Sequence, residues 1–293
     1  MKITSLVIAL LLTLLPGMIV SAHPGSGIVI DKDGNIYFTD TGKGVWKIDK
    51  QNKLIYFPGS RFHWMAIDEA GNFSATGKSF GEYFERATPL NTKPAVMTCS
   101  DFPFVVNHDG NIYYARTQPG AAAIIKRTPA GVETVFLADK VFEFVSGITV
   151  GPDSALYITE ASHGNANTIR KVTMNKKMSI IATFHGNEIR NIPYGSPAAY
   201  CRGLSVDATG NIYVAATGSR SILKITPQGI ITTILQETGS WSPTGITLFK
   251  GEVYILEWHD VATSLVDVRE AWIPRIQKID SNGRLTTIAT ISR

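Results

Sequence analysis

Hydrophobic and polar positions alternate along this chain in short runs, and the runs recur. Six segments repeat one arrangement: GIVIDKDGNIYFTD, MAIDEAGNFSAT, FVVNHDGNIYYAR, GITVGPDSALYITE, GLSVDATGNIYVAA and GITLFKGEVYILE. In each, an apolar run leads into a polar turn, and a second apolar run follows and ends on a polar residue. Alternation with a period of two, bounded by Gly, Asn and Asp, is the pattern of half-buried strands joined by tight turns. The turn residues are Gly34, Gly71, Gly110, Ser154, Gly210 and Gly251, spaced by 37, 39, 44, 56 and 41 residues. A second half follows each copy: VWKIDKQNKLIYF, YFERATPLNTKPAVM, IIKRTPAGVETVF, IRKVTMNKKMSIIA, ILKITPQGIITTI and IQKIDSNGRLTTIA. These read as two more strands around a polar bend. Every unit thus predicts four antiparallel strands, A to D, in chain order.

Self-similarity at this period, in units made of strands, predicts an all-β fold, a six-bladed β-propeller with four antiparallel strands per blade. The first unit opens on its own strand A and the last closes on its own strand D. Ring closure should therefore rest on side-chain packing between blades 1 and 6. Lys47, Lys126, Lys171, Lys224 and Lys278 fill one equivalent place in strand C, with Glu85 in the remaining copy. A repeated lysine there reads as a solvated or blade-bridging charge.

Residues 1–22 stand apart. Lys2 is followed by an apolar core from Leu6 to Leu15, a Pro16-Gly17 break and a small-residue site at Val20-Ser21-Ala22. This is the layout of a signal peptide, too short to span a bilayer. The expectation is a soluble protein, secreted or periplasmic, whose residues 23–293 form one propeller domain. Of 28 Lys and Arg against 24 Asp and Glu, none forms a basic cluster, so nucleic acid is not an expected partner. Cys99 and Cys201 fall in an export context that permits a disulfide, but they belong to blades 3 and 5 in the repeat register. The sequence leaves a bridge and two separate buried thiols equally open.

The segment GLSVDATGNIYVAATGSRSILKITPQG and its five relatives resemble the NHL repeat family of six-bladed propellers, in the TolB-like and gluconolactonase-like superfold. The resemblance covers essentially all of the chain after residue 22. It implies the fold and leaves the activity open, because related families include calcium-dependent lactonases, amidating lyases, strictosidine-synthase-like enzymes and many binding modules. The lactonase pattern implies an acidic metal ligand near the start of blade 1, where this chain has Ser26. The lyase pattern implies three histidines at strand A starts, of which only His63 is present. No metal and no cofactor are expected.

Candidate chemistry gathers on one face. The A–B and C–D turns are short, whereas 161–166, 184–200 and 258–274 are enlarged and lie together on the opposite face, where binding loops usually sit. Aligned strand A starts give a ring of Ser26, His63, Phe102, Ser146, Arg202 and Thr244. Strand B ends give a neighbouring ring of Asp40, Thr76, Arg116, Glu160, Ala216 and Glu257. His63, Arg116, Glu160, Arg202 and Glu257 would then surround one cavity suited to an anionic or polyhydroxylated ligand. The competing reading is a self-neutralising ion-pair network. His163, His259 and Trp258 belong to the same loop-rich face as candidate ligand contacts. Val261, Leu265, Val268 and Trp272 recur at helical spacing after Asp260, which predicts a short lid-like helix.

The functional expectation is a binding module, for a small ligand or a protein, acting through the loop-rich face. The alternative is a metal-independent hydrolase or lyase with Glu257, Glu160 and His63 as catalytic groups and Arg202 or Arg116 holding the substrate.

Overall fold

A computed structural model describes residues 24–292 apart from 42, 60–62, 74–82, 119–120, 140–141, 143, 162–165, 186–200 and 260–271. The expected signal peptide, His163, Thr76 and the helix expected after Asp260 lie outside the described residues.

Twenty-three described strands form six antiparallel sheets. Blade 1 is β1 (Ile28–Ile30), β2 (Ile36–Asp40), β3 (Gly44–Ile48) and β4 (Leu54–Pro58). Blade 2 has β5 (Trp64–Asp68), β6 (Phe84–Arg86) and β7 (Ala95–Cys99). Blade 3 is β8 (Phe104–Val106), β9 (Ile112–Gln118), β10 (Ala121–Arg127) and β11 (Glu133–Asp139). Blade 4 is β12 (Phe144–Val150), β13 (Leu156–Ala161), β14 (Ala166–Val172) and β15 (Met178–His185). Blade 5 is β16 (Cys201–Val206), β17 (Ile212–Ala216), β18 (Ser221–Ile225) and β19 (Ile231–Gln236). Blade 6 is β20 (Trp241–Phe249), β21 (Glu252–His259), β22 (Pro274–Ile279) and β23 (Leu285–Thr290). The inner strands β1, β5, β8, β12, β16 and β20 touch in that order, and β20 returns to β1. The protein is a six-bladed β-propeller.

Six hydrophobic clusters fill the six seams between blades. The one that closes the ring joins Ile28, Ile36 and Phe38 of blade 1 to Leu256, Trp258 and Ile276 of blade 6. Closure by side-chain packing therefore holds among the described residues, where each blade is built from one consecutive stretch of chain.

Blade 2 departs from the expected order. Its strands run β5-β7-β6, so the stretch read as the outer strand D pairs directly with the inner strand, Trp64 opposite Cys99. Burial explains the exchange. All five residues of β7, AVMTC, are buried, whereas the outer strands β19 and β23 expose most of theirs. A continuous apolar run suits an interior strand.

Turn chemistry repeats with the blades. Asp31 Oδ1 accepts hydrogen bonds from the backbone N–H groups of Asp33 at 3.0 Å and Asn35 at 2.8 Å, and Asp207 does the same for Thr209 and Asn211. These side chains hold the A–B turn while Gly34 and Gly210 take the positive φ, 90° and 84°, that other residues resist. Four of the repeated lysines are held within their own blades. Lys47, Lys171 and Lys224 each stand over the strand B tyrosine opposite in register, Tyr37, Tyr157 and Tyr213, at 5.3, 5.7 and 5.5 Å from the ring centre. Lys278 instead bonds Glu252 at 2.8 Å.

Candidate functional site

Strand A carries a β-bulge at the loop-face end of blades 4, 5 and 6, between Val145 and Gly147, Cys201 and Leu204, and Pro243 and Gly245. A bulge leaves a residue out of the ladder and re-aims its side chain. The residues freed here are Ser146, Arg202 and Thr244, three of the aligned strand A starts. Glycine follows each because the inner strands nearly touch: a Cβ on Gly203 would sit 2.7 Å from Gly245 Cα.

Arg202 and Thr244 grip the N-terminal segment. Arg202 Nη1 donates to the Pro24 carbonyl at 2.7 Å, and Thr244 Oγ1 and Trp258 Nε1 both donate to the Gly25 carbonyl, at 2.7 and 2.9 Å. The Gly25 N–H donates to Thr41 Oγ1 at 2.6 Å, and the Ser26 N–H to the His63 carbonyl at 2.6 Å. Residues 24–26 thus form a buried strap tied to blades 1, 2, 5 and 6. Below it lies a channel cavity of about 190 Å³, lined by Ser26 and Arg202 at the strap end and by Ile30, Ile67, Val106 and Thr247 toward the A–B turns. Burial lowers the Arg202 guanidinium to about 9.

The seam between blades 5 and 6 holds a guanidinium shared by two carboxylates. Strand register sets Arg275 of β22 opposite Glu257 of β21, and Arg275 Nε and Nη2 both donate to Glu257 Oε2, at 2.8 and 2.6 Å. Arg275 Nη2 also reaches Glu237 Oε1, just past β19, at 3.3 Å, and the guanidinium lies 4.0 Å from the ring centre of Trp241. Trp241 meets the His259 ring edge-on at 5.1 Å. Glu257 is wholly buried, and its Oε1 has no hydrogen-bond partner. Burial, opposed by Arg275 and reinforced by Glu237, pushes its carboxyl up to about 7. Thr217 is the first residue past β17 and lies two residues after Ala215, whose methyl packs with Ile255 of blade 6. Its Oγ1 is likewise buried and unpartnered.

The structure distributes the sequence-predicted residues over separate places. Glu257 and His259 share the seam of blades 5 and 6. Arg202 and Trp258 meet on the strap, where Trp258 is fully buried in the ring-closing core. Glu160 is buried in blade 4 and receives Arg170 Nε at 2.5 Å. Arg116 is drawn away by Glu133 at 2.9 Å and by the Tyr114 hydroxyl at 2.6 Å. His63 Nδ1 lies 2.9 Å from the Ser100 carbonyl oxygen. Neither Glu160, Glu257, His63 nor Arg116 lines the channel cavity, so the single ring of charges expected around one mouth is divided among blade seams. Arg275, Glu237, Trp241 and Thr217 were missed. The register signal for Arg275 was available, since the first residues of strand C face the last residues of strand B.

Chemically, the seam offers an unsatisfied carboxylate oxygen, a shared guanidinium and two aromatic rings. It can bind a polar group, and a carboxyl near neutrality can also exchange a proton. Among the described residues no three His, Cys, Asp or Glu side chains are placed to hold a metal together.

No protein-family model and no curated protein sequence matches the chain. Solved structures do. The virginiamycin B lyase of Staphylococcus aureus superposes with a TM-score of 0.50 at 18% identity, over 90% of this chain and 84% of that one. The PQQ-bound aldose sugar dehydrogenase of Streptomyces coelicolor gives 0.57 at 8% identity, over 87% and 94%. A putative gluconolactonase gives 0.51 at 14% identity, over 80% and 86%. At these identities the likeness establishes the fold, a six-bladed propeller, and leaves function to the site.

Proposed function

We propose that this chain is an exported, NHL-type propeller that binds a small polar ligand at its loop-rich face, in the seam of blades 5 and 6. One observation carries the reading: Glu257 Oε1 is wholly buried without a hydrogen-bond partner. A buried acceptor left unmade costs about 1–3 kcal/mol, more when charged, and each such group calls for an explanation, such as a catalytic role or a bound water or ion. The anionic ligand expected from Arg116 and Arg202 loses its support, because Arg116 is held by Glu133 and Arg202 serves the strap. A thermal-shift screen of small polar compounds, followed by calorimetry on wild type and Glu257→Gln, tests the reading. A hit whose affinity falls at least tenfold in the variant supports it. Hits indifferent to Glu257, or none at all, would remove the seam as the site.

The alternative, a metal-independent hydrolase or lyase, draws on the elevated Glu257 carboxyl, which is suited to proton transfer near neutrality. The same hits, followed by proton NMR for turnover, separate the two. Conversion that Glu257→Gln abolishes while binding survives would favour the enzyme.

A further inference from the structure

We infer that the ligand of this seam is a small organic cation, presenting a primary ammonium or a guanidinium to Glu257 Oε1. The inference rests on the binding reading above and adds the chemical class. Its basis is the count of charges and where their hydrogen bonds go. Two carboxylates share one guanidinium, with Arg275 Nη2 at 2.6 Å from Glu257 Oε2 and 3.3 Å from Glu237 Oε1. The second contact to Glu257, from Nε at 2.8 Å, falls on the same Oε2, so Oε1 remains unused. The Gln277 amide is also committed to Arg275: with its oxygen turned to that guanidinium, it accepts from Nη2 at 2.8 Å.

Among the described residues, no cation other than Arg275 hydrogen-bonds either carboxylate. Arg220, beside Glu237, sends Nη1 to the Gly239 carbonyl at 2.7 Å, and the His259 ring packs on Trp241. The seam therefore carries one more carboxylate than the single guanidinium bonded to it. An excess buried charge is expensive, and proteins neutralise it with a proton or a partner. The elevated Glu257 carboxyl is consistent with a proton filling that role when no ligand is bound. An ammonium N–H donated to Oε1 would supply both the missing charge and the missing hydrogen bond. A carboxylate or phosphate would meet two like charges, and a neutral polyol would leave the excess uncompensated. Glu237 and Arg275 have side chains 13% and 14% exposed, so the outer edge of the seam meets solvent.

The test is calorimetric titration of the full chain with four probes: butylammonium and agmatine, against butanol and butyrate as neutral and anionic counterparts. Both cations are expected to bind, with the counterparts at least tenfold weaker. Cation affinity should fall roughly tenfold between pH 8 and pH 6, as Glu257 takes up its proton. Glu257→Gln should weaken cation binding at least tenfold. Glu237→Gln, which leaves the Glu257–Arg275 pair intact, should weaken it less and covers the case in which the first variant does not fold. Glu257-dependent binding of butanol or butyrate equal to that of butylammonium would overturn the class while leaving the binding seam. Cation binding unchanged by either variant, or no binding by any probe, would overturn the inference, and a broad screen that is blank or yields only hits indifferent to Glu257 would sink the seam with it.

Discussion

The Arg202 guanidinium donates to the carbonyl of Pro24 across 178 residues of chain, at 2.7 Å and out of contact with water. The bond ties blade 5 to the segment that leads into blade 1, and Thr244 and Trp258 add blade 6 through the neighbouring Gly25 carbonyl. The ring thus has a polar clasp at the loop face above its apolar closure. Thr244→Val keeps shape and removes one donor, and it should cost about 1–2 kcal/mol in urea unfolding. Arg202→Met should cost more, about 2–4 kcal/mol, because a charged donor is lost and its stem repacks. Wild-type stability in both variants would show that the strap does not hold the ring.

The close approach of inner strands gives a sharper steric prediction. Gly203 has ordinary backbone angles, so only space excludes a side chain, and a Cβ would meet Gly245 Cα and Ile246 N, both at 2.7 Å and both backbone. Gly203→Ala must push β16 from β20 and should destabilise by about 2–4 kcal/mol. Gly239→Ala, where a Cβ meets nothing within 4 Å, should stay within about 0.5 kcal/mol of wild type. Equal stabilities for the two variants would contradict the packing described.

Much of this was legible in the chain, and the exceptions have physical causes. The repeat announced six blades because tight turns need Gly, Asn and Asp at fixed offsets, and Gly34 and Gly210 fill that need. Blade 2 was misread because its outermost apolar stretch, Ala95–Cys99, was assigned by order, when its lack of any polar alternation marked it as interior. Arg202 lies next to the start of its strand A, as aligned, whereas Thr244 lies inside β20, which begins at Trp241. What periodicity cannot express is the bulge that turns them onto the strap. The ring of charges was misjudged for a related reason: alignment gives height in the propeller but not direction. Glu160, Glu257 and Arg116 turn into their own blades or seams, toward Arg170, Arg275 and Glu133.

Glu257 should leave a signature in the pH dependence of stability. Its folded-state carboxyl is raised from 4.5 to about 7, so the folded protein holds more protons than the unfolded chain between those values. Its contribution is therefore greatest at acid pH and is lost as pH rises through the folded value. The whole window is worth on the order of 3 kcal/mol. Subtracting the Glu257→Gln profile from wild type, by urea unfolding from pH 4.5 to 8.5, should give a difference that falls with rising pH. A flat or rising difference would mean that Arg275 holds the carboxylate ionised throughout.

Cys99 and Cys201 settle in the structure as separate thiols, each 1% exposed, one in the cluster between blades 2 and 3 and the other between blades 4 and 5. Burial raises both, Cys99 to about 11, so little thiolate exists at neutral pH. Attack on a disulfide reagent needs both the thiolate and access, and here both are withheld. The native protein at pH 8 should react with Ellman's reagent at least a hundredfold more slowly than in 6 M guanidinium, where two thiols per chain should titrate. Fewer than two thiols under denaturing conditions without reductant, restored to two after reduction, would reveal a bridge and overturn the separate placement. Rapid native labelling of either residue would instead mean that its seam opens readily, and Cys99→Ser and Cys201→Ser would say which.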